Sequence, residues 1–260
     1  MPRSLEGQIR ATYFSLRVIL AVLAFTLPPL LYIGGHLRAH IPLRDSMSAY
    51  YWAAPGQICQ CSCTVLDTEK CPAIEDNHWT DKQRQAWIDQ LKAGTMRNYF
   101  VGFLFAVGAI LYVYKGYTWK ENWALNFAGV MAVSVALNPM PWDCAKHHVT
   151  AHGASAILFF VAIAYVCIFQ SDDTLVLIKD TKRRAFYKGW YRVLGIIMAC
   201  SPIFAFIYTA IRQRYDHYIF SAEMAGIYAF SAYWVVKIRE IQFIGERRAL
   251  ERLSDPNIPG

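Results

Sequence analysis

The stretch VTAHGASAILFFVAIAYVCIF, Val149–Phe169, runs for twenty-one residues without an Asp, Glu, Lys or Arg, and its reading decides the fold. A helix needs about 20 apolar residues to cross roughly 30 Å of hydrocarbon. An unpaired backbone amide in that medium costs several kcal/mol, so such a segment must be helical unless alternating ten-residue strands indicate a barrel. No such alternation occurs. Working outward, five more apolar blocks follow the same rule: Ala11–Gly35, Asn98–Tyr114, Trp123–Met140, Tyr191–Ile211 and Tyr218–Lys237. The expected fold is an all-α polytopic membrane protein, a six-transmembrane-helix bundle forming one domain over residues 1–260. Residues 36–97 form an extracytoplasmic loop between the first and second helices. Pro28, Pro29, Pro139, Pro141 and Pro202 are expected to kink or end their helices.

Composition agrees. The chain is 55% apolar and 15% aromatic with 17% charged residues, against about 25% charged in an ordinary soluble protein, and its mean hydropathy is +0.22. Disorder, collagen, coiled coil and small disulfide scaffold are excluded. The first block follows Arg3 and Arg10 as a signal peptide would, but it is longer than the usual 7–15 apolar residues and lacks a small-x-small cleavage site after it. It reads as a retained span.

A net charge of +7 and a pI near 9.0 would suit nucleic acid only if the basic residues clustered on one wet face. Instead they follow topology, because short basic connections stay cytoplasmic. Arg3 and Arg10, Lys115 and Lys120, the run Lys179–Lys188, and the tail from Lys237 to Arg252 all fall on one side, while the opposite short loops hold Lys146, Arg212 and Arg214. Both termini are therefore expected in the cytoplasm, in a plasma membrane, with membrane lipids and a membrane protein as partners. Nucleic acid is excluded.

The long loop then lies outside, with Cys59, Cys61, Cys63 and Cys71, and Cys144 shares that face. An oxidising exterior favours a disulfide pinning the loop; five cysteines are an odd number, so one thiol stays free or pairs elsewhere. A metal held by Cys-x-Cys-x-Cys is the alternative, although the usual Cys-x-x-Cys zinc spacing is missing. Cys167 and Cys200 fall within spans and read as small apolar core residues. Thr80–Lys92 carries a capping Thr and one apolar side, which suits a short helix on the bilayer surface.

An ionisable group inside a span costs at least ~2.5 kcal/mol and marks a functional site by default. Glu223, in SAEMAG, is the carboxylate that lies well inside a block. His148 and His152 are four residues apart at the outer end of the fourth span, on one helical face. Ser48, Tyr50 and Tyr51 follow the first span, Arg97 precedes the second, Asp143 the fourth and His217 the sixth. All lie near one membrane surface, where they either converge in a pocket or are solvated at helix ends. Glu223 paired with His152 or with Arg97 would satisfy both partners. Small residues in AHGASA, NFAGVMA and SAEMAG suit close helix approach.

Several motifs, in order, resemble the DRAM/FRAG/SFK family of six-span membrane proteins. These are SMSAYY (Ser46–Tyr51) after the first span, YFVG (Tyr99–Gly102) opening the second and NFAG (Asn126–Gly129) in the third, followed by HGASAILFF (His152–Phe160) in the fourth and AEMAG (Ala222–Gly226) in the sixth. The segment Ala53–Thr95 exceeds the family pattern and looks like an insertion. The Pro expected beside the Ser element is displaced to Pro42, which leaves Ser46 and Ser48 as alternatives for the matching residue. The resemblance implies lipid-related work: remodelling of lipid anchors, phospholipid distribution or recruitment of lipid enzymes. His152 and Glu223 are the positions carried over.

The leading expectation is an accessory, cofactor-free protein holding a lipid headgroup in an outer-side pocket of Arg97, His152, Glu223 and Ser48, with Arg97 forking onto phosphate oxygens. The alternative is a membrane-embedded zinc hydrolase of lipid esters or amides. There His148, His152 and His217 would be the ligands and Glu223 or Asp143 the base, although the His-x-x-x-His pair of ceramidase-type enzymes is missing from the last span. A haem protein would need facing His pairs in the membrane interior, and the sequence places none there. Transport has no legible pathway.

Overall fold

The computed structural model describes residues 5–53, 94–140, 150–212 and 217–254. Cys59, Cys61, Cys63, Cys71, Cys144, Asp143, His147, His148 and the surface segment Thr80–Lys92 lie outside the described residues. So does the side chain of His217.

The described residues are helical, and none of them forms a strand. The helices are α1 (Leu5–Ala39), α2 (Arg97–Val113), α3 (Trp119–Leu137), α4 (Ala151–Tyr165), the short α5 (Asp172–Leu175), α6 (Thr181–Arg212) and α7 (His217–Ser254). A π-turn, Val166–Gln170, prolongs α4. Each of the six apolar blocks thus falls on a helix, but the bounds differ. The last helix runs on to Ser254, and α6 begins ten residues before Tyr191. α1 continues through Pro28 and Pro29 and α6 through Pro202, while Pro139 follows the end of α3.

Four stretches are long and apolar enough to cross a membrane: Gly7–Ala39, Ala151–Leu175, Thr181–Tyr208 and Tyr218–Arg247. α2 is shorter, with 17 residues, about 25 Å of helix. α3 opens on Trp-Lys-Glu-Asn, which lowers its hydropathy. That opening is a capping box: the Thr118 hydroxyl accepts the N–H of Glu121 at 3.3 Å, and the Glu121 carboxylate accepts the N–H of Tyr117 at 2.6 Å, satisfying amides that the first turn leaves unpaired. At the start of α4, Thr150 accepts the N–H of Gly153 at 3.1 Å in the same role.

The helices close into a ring in the order α1, α2, α3, α4, α6, α7, with α7 returning to α1. Leu20, Leu111, Leu125, Ile163, Tyr191, Met198 and Trp234 fill its middle and are fully buried. α2 and α3 cross closely, where a Cβ on Gly108 would come 2.8 Å from the Gly129 carbonyl oxygen and one on Gly129 would come 2.6 Å from that of Gly108. The small residues of NFAG therefore allow two backbones to approach. Gly226 of SAEMAG makes room for the side chains of Ser201 and Phe160, and Ser155 of AHGASA lies 2.7 Å from Ser134 across α3 and α4.

At the end of α1 the chain turns back over one mouth of the ring. His40 takes a left-handed conformation, φ 50°, and Ile41 donates to the Gly35 carbonyl at 3.3 Å, which ends the helix in the manner of a C-cap. Ile41, Met47, Tyr50 and Ala53 are then buried with Leu31, Met96, Phe100 and Phe220. The Asp45 carbonyl accepts the N–H of Phe220 at 2.8 Å, in the first turn of α7. Thr95 donates to the Ala53 carbonyl at 2.9 Å.

Candidate functional site

This covered mouth is where the polar residues singled out by depth come together. Four chain segments meet: the stretch after α1, the C-terminus of α3, the first turn of α4 and the first turns of α7. Glu223 on α7 is partly buried. The Ser46 hydroxyl donates to its carboxylate, 2.8 and 3.0 Å from the two oxygens, and the N–H of Met47 donates at 2.6 Å. The Ser46 oxygen in turn accepts the N–H of Ser48 at 3.1 Å. Ser48 Oγ lies 2.8 Å from His152 Nε2, and His152 Nδ1 lies 2.7 Å from the carbonyl oxygen of Asn138. Both Ser48 and His152 are buried, at 8% and 7% exposure.

The protonation pattern follows from the partners. A carbonyl oxygen only accepts, so Nδ1 carries the hydrogen; in the neutral ring Nε2 then accepts from Ser48 Oγ–H. The result is one continuous chain, Glu223–Ser46–Ser48–His152–Asn138, in which Glu223 and His152 are joined through two serines rather than to each other. Both serines of the SMSAYY element take part, in two different roles. Ser46 holds the acid and Ser48 holds the imidazole.

Arg97 occupies a neighbouring position. Its Nε donates to the Tyr51 carbonyl at 3.3 Å, and its guanidinium lies over the rings of Tyr51 and Trp52 at 4.6 and 5.2 Å. Trp52 is anchored by donating to the Met140 carbonyl at 2.7 Å. The arginine therefore braces the C-terminal end of the 3₁₀ turn Ser48–Tyr51. Tyr50 on that turn is fully buried, and burial raises the pKa of its phenol above the ordinary value, an effect that Arg44 partly offsets.

Among the described residues no group of three His, Cys, Asp or Glu could hold a metal. A zinc ion on His152 Nε2 would have to displace the Ser48 hydroxyl. α4 begins at Ala151, and the first member of the proposed His148–His152 face lies outside the described residues. Cys167 and Cys200 are free thiols; Cys167 is buried, whereas Cys200 is exposed and not in the core.

A second polar centre, absent from the sequence reading, lies further along α7. Glu121, Lys237 and Glu240 are all buried. Lys237 Nζ donates to Thr174 at 2.6 Å and pairs with Glu240 at 3.3 Å, while the Tyr191 hydroxyl donates to the same carboxylate. Arg17 donates to the Tyr114 hydroxyl at 2.8 Å. Arg17 sits inside the first apolar block, a signal available from the sequence. Lys237 and Glu240 gave none, because a block that ends at Lys237 turns KIRE into a solvated tail. Seventeen residues of helix separate Glu223 from Glu240, about 25 Å, so each end of the apolar interior carries one polar centre.

No protein-family model, curated protein or solved structure matches this chain.

Proposed function

We propose that the chain crosses a bilayer six times, with both termini in the cytoplasm, and holds the polar headgroup of a lipid at its outer mouth, in the manner the resemblance to the DRAM/FRAG/SFK proteins implies. The observation that carries this reading is the Glu223–Ser46–Ser48–His152 chain. An acid, an imidazole and two hydroxyls are assembled from segments far apart in sequence, at helix ends rather than in the middle of the bundle. A purely apolar plug would close that mouth at lower desolvation cost.

Two further features support six spans. All six long helices expose large apolar side chains, including Phe105 and Tyr112 on α2 and Phe127 and Val130 on α3, the two helices outside the four stretches that are long and apolar enough by themselves. The two polar centres are spaced by about 25 Å, close to the ~30 Å thickness of hydrocarbon. In this reading Arg97, beside the Ser48–Tyr51 turn, meets a phosphate on the same lipid, because its guanidinium forks onto phosphate oxygens.

Native mass spectrometry of the purified protein tests the pocket. Wild type is expected to retain a co-purifying lipid that Glu223→Gln and Arg97→Ala release. Equal retention by all three removes the proposed pocket.

A further inference from the structure

We infer that Ser48 is a nucleophile and His152 its general base, so that the outer mouth transfers an acyl group from a lipid ester. The inference deepens the headgroup reading and rests on it for the identity of the ester. A serine hydroxyl is activated when an imidazole within hydrogen-bond reach accepts its proton and a third group fixes the imidazole tautomer. Here Ser48 Oγ is 2.8 Å from Nε2 and the Asn138 carbonyl is 2.7 Å from Nδ1. A backbone carbonyl fixes the tautomer as a carboxylate would, but it adds no negative charge to stabilise the imidazolium.

The contrast with other serines is chemical. Ser171, Ser201 and Ser231 donate to the carbonyls of Cys167, Ala222 and Ala21, which cannot take up a proton near neutral pH. Ser48 donates to a nitrogen that can. Its position is also fixed from behind, because its N–H is bound by Ser46, which is held by Glu223. Glu223 and Ser46 are thus positioning residues, set to keep the 3₁₀ turn in register with α4.

The step balances without a redox partner. Ser48 Oγ bonds to the ester carbonyl carbon as its proton passes to His152 Nε2. The carbon–oxygen bond to the leaving alcohol breaks, and Nε2 returns the proton to that oxygen, leaving an acyl-Ser48 and a free lipid hydroxyl. Water, or the hydroxyl of a second lipid, then gives its proton to Nε2 and bonds to the acyl carbon; the carbon–Oγ bond breaks and Nε2 returns the proton to Ser48 Oγ, restoring both side chains.

The test uses the full chain in membranes and an alkyl fluorophosphonate, followed by peptide mapping, with lipid retention measured on the same preparation. An adduct on Ser48 is expected, formed roughly 100-fold more slowly in His152→Gln and absent in Ser48→Ala. The wild-type result stands alone if either variant fails to fold. No adduct on Ser48 in wild type, or an undiminished rate in a folded His152→Gln, overturns the inference. Lipid retained without an adduct leaves the headgroup reading intact and removes acyl transfer; an adduct without retained lipid keeps the nucleophile and removes the headgroup reading in favour of a soluble ester.

Discussion

Glu223 accepts the backbone N–H of Met47 at 2.6 Å, so an acid on the last helix holds the backbone of the segment that follows the first. With the Asp45 carbonyl bound to the N–H of Phe220 at 2.8 Å, the contact is reciprocal. The segment caps α7, and α7 anchors the segment on which Ser46 and Ser48 ride.

Replacing Glu223 by Ala strands the Met47 amide and the Ser46 hydroxyl. Each unsatisfied group costs about 1–3 kcal/mol. Thermal unfolding in detergent is expected to show a marked loss of stability for Glu223→Ala and a smaller one for Glu223→Gln, which keeps one acceptor oxygen. Equal melting of the two variants would contradict this account of the acid.

At the other centre, Glu240 binds Lys237 and Tyr191. Removing only Glu240 leaves a buried ammonium without its carboxylate, a change expected to cost about 3–5 kcal/mol. The double variant Lys237→Met with Glu240→Leu removes both charges and should recover most of that loss. A double-mutant cycle of unfolding free energies reads the coupling directly, and additive losses would count against a buried pair.

Ala53 and Thr95, which are described on either side of residues 54–93, are joined by a hydrogen bond at 2.9 Å. Replacing residues 54–93 with a Gly-Ser linker of about four residues should leave the bundle folded, since a short closure between adjacent ends costs little entropy. Retention of a monodisperse helical protein melting within a few degrees of wild type is the expected result. Collapse of expression or helicity would assign the loop a role in holding the bundle.

The α2–α3 crossing leaves no room for a methyl group at Gly129, whose added Cβ would sit 2.6 Å from a backbone oxygen. Gly129→Ala is expected to cost about 1–3 kcal/mol by overpacking, whereas Gly102→Ala, where a Cβ would meet nothing within 4 Å, should be neutral or slightly stabilising. Thermal unfolding of the pair side by side provides the comparison.

Topology has its own test. In a background without the native cysteines, Cys at Arg38 is expected to react with a membrane-impermeant thiol reagent added outside, and Cys at Lys179 only after permeabilisation. Labelling of both from one side would refute six crossings.

The helices were legible from local hydrophobicity, because the length of an apolar run is a property of consecutive residues and needs no partner. Glu223 and His152 were legible for a related reason: a polar group inside an apolar run is conspicuous wherever its side chain points. The ends of the runs were not. Lys237 closes one and Glu240 sits just beyond it, where a buried ion pair and a solvated tail have the same sequence, and only the packing of α7 against α6 places them in the interior. Nor does the sequence specify that Ser46 serves the acid and Ser48 the imidazole. Neighbours in the chain were assigned to partners more than 100 residues away by the fold-back after α1, and which of two adjacent hydroxyls meets which helix depends on the register of that turn against the whole ring.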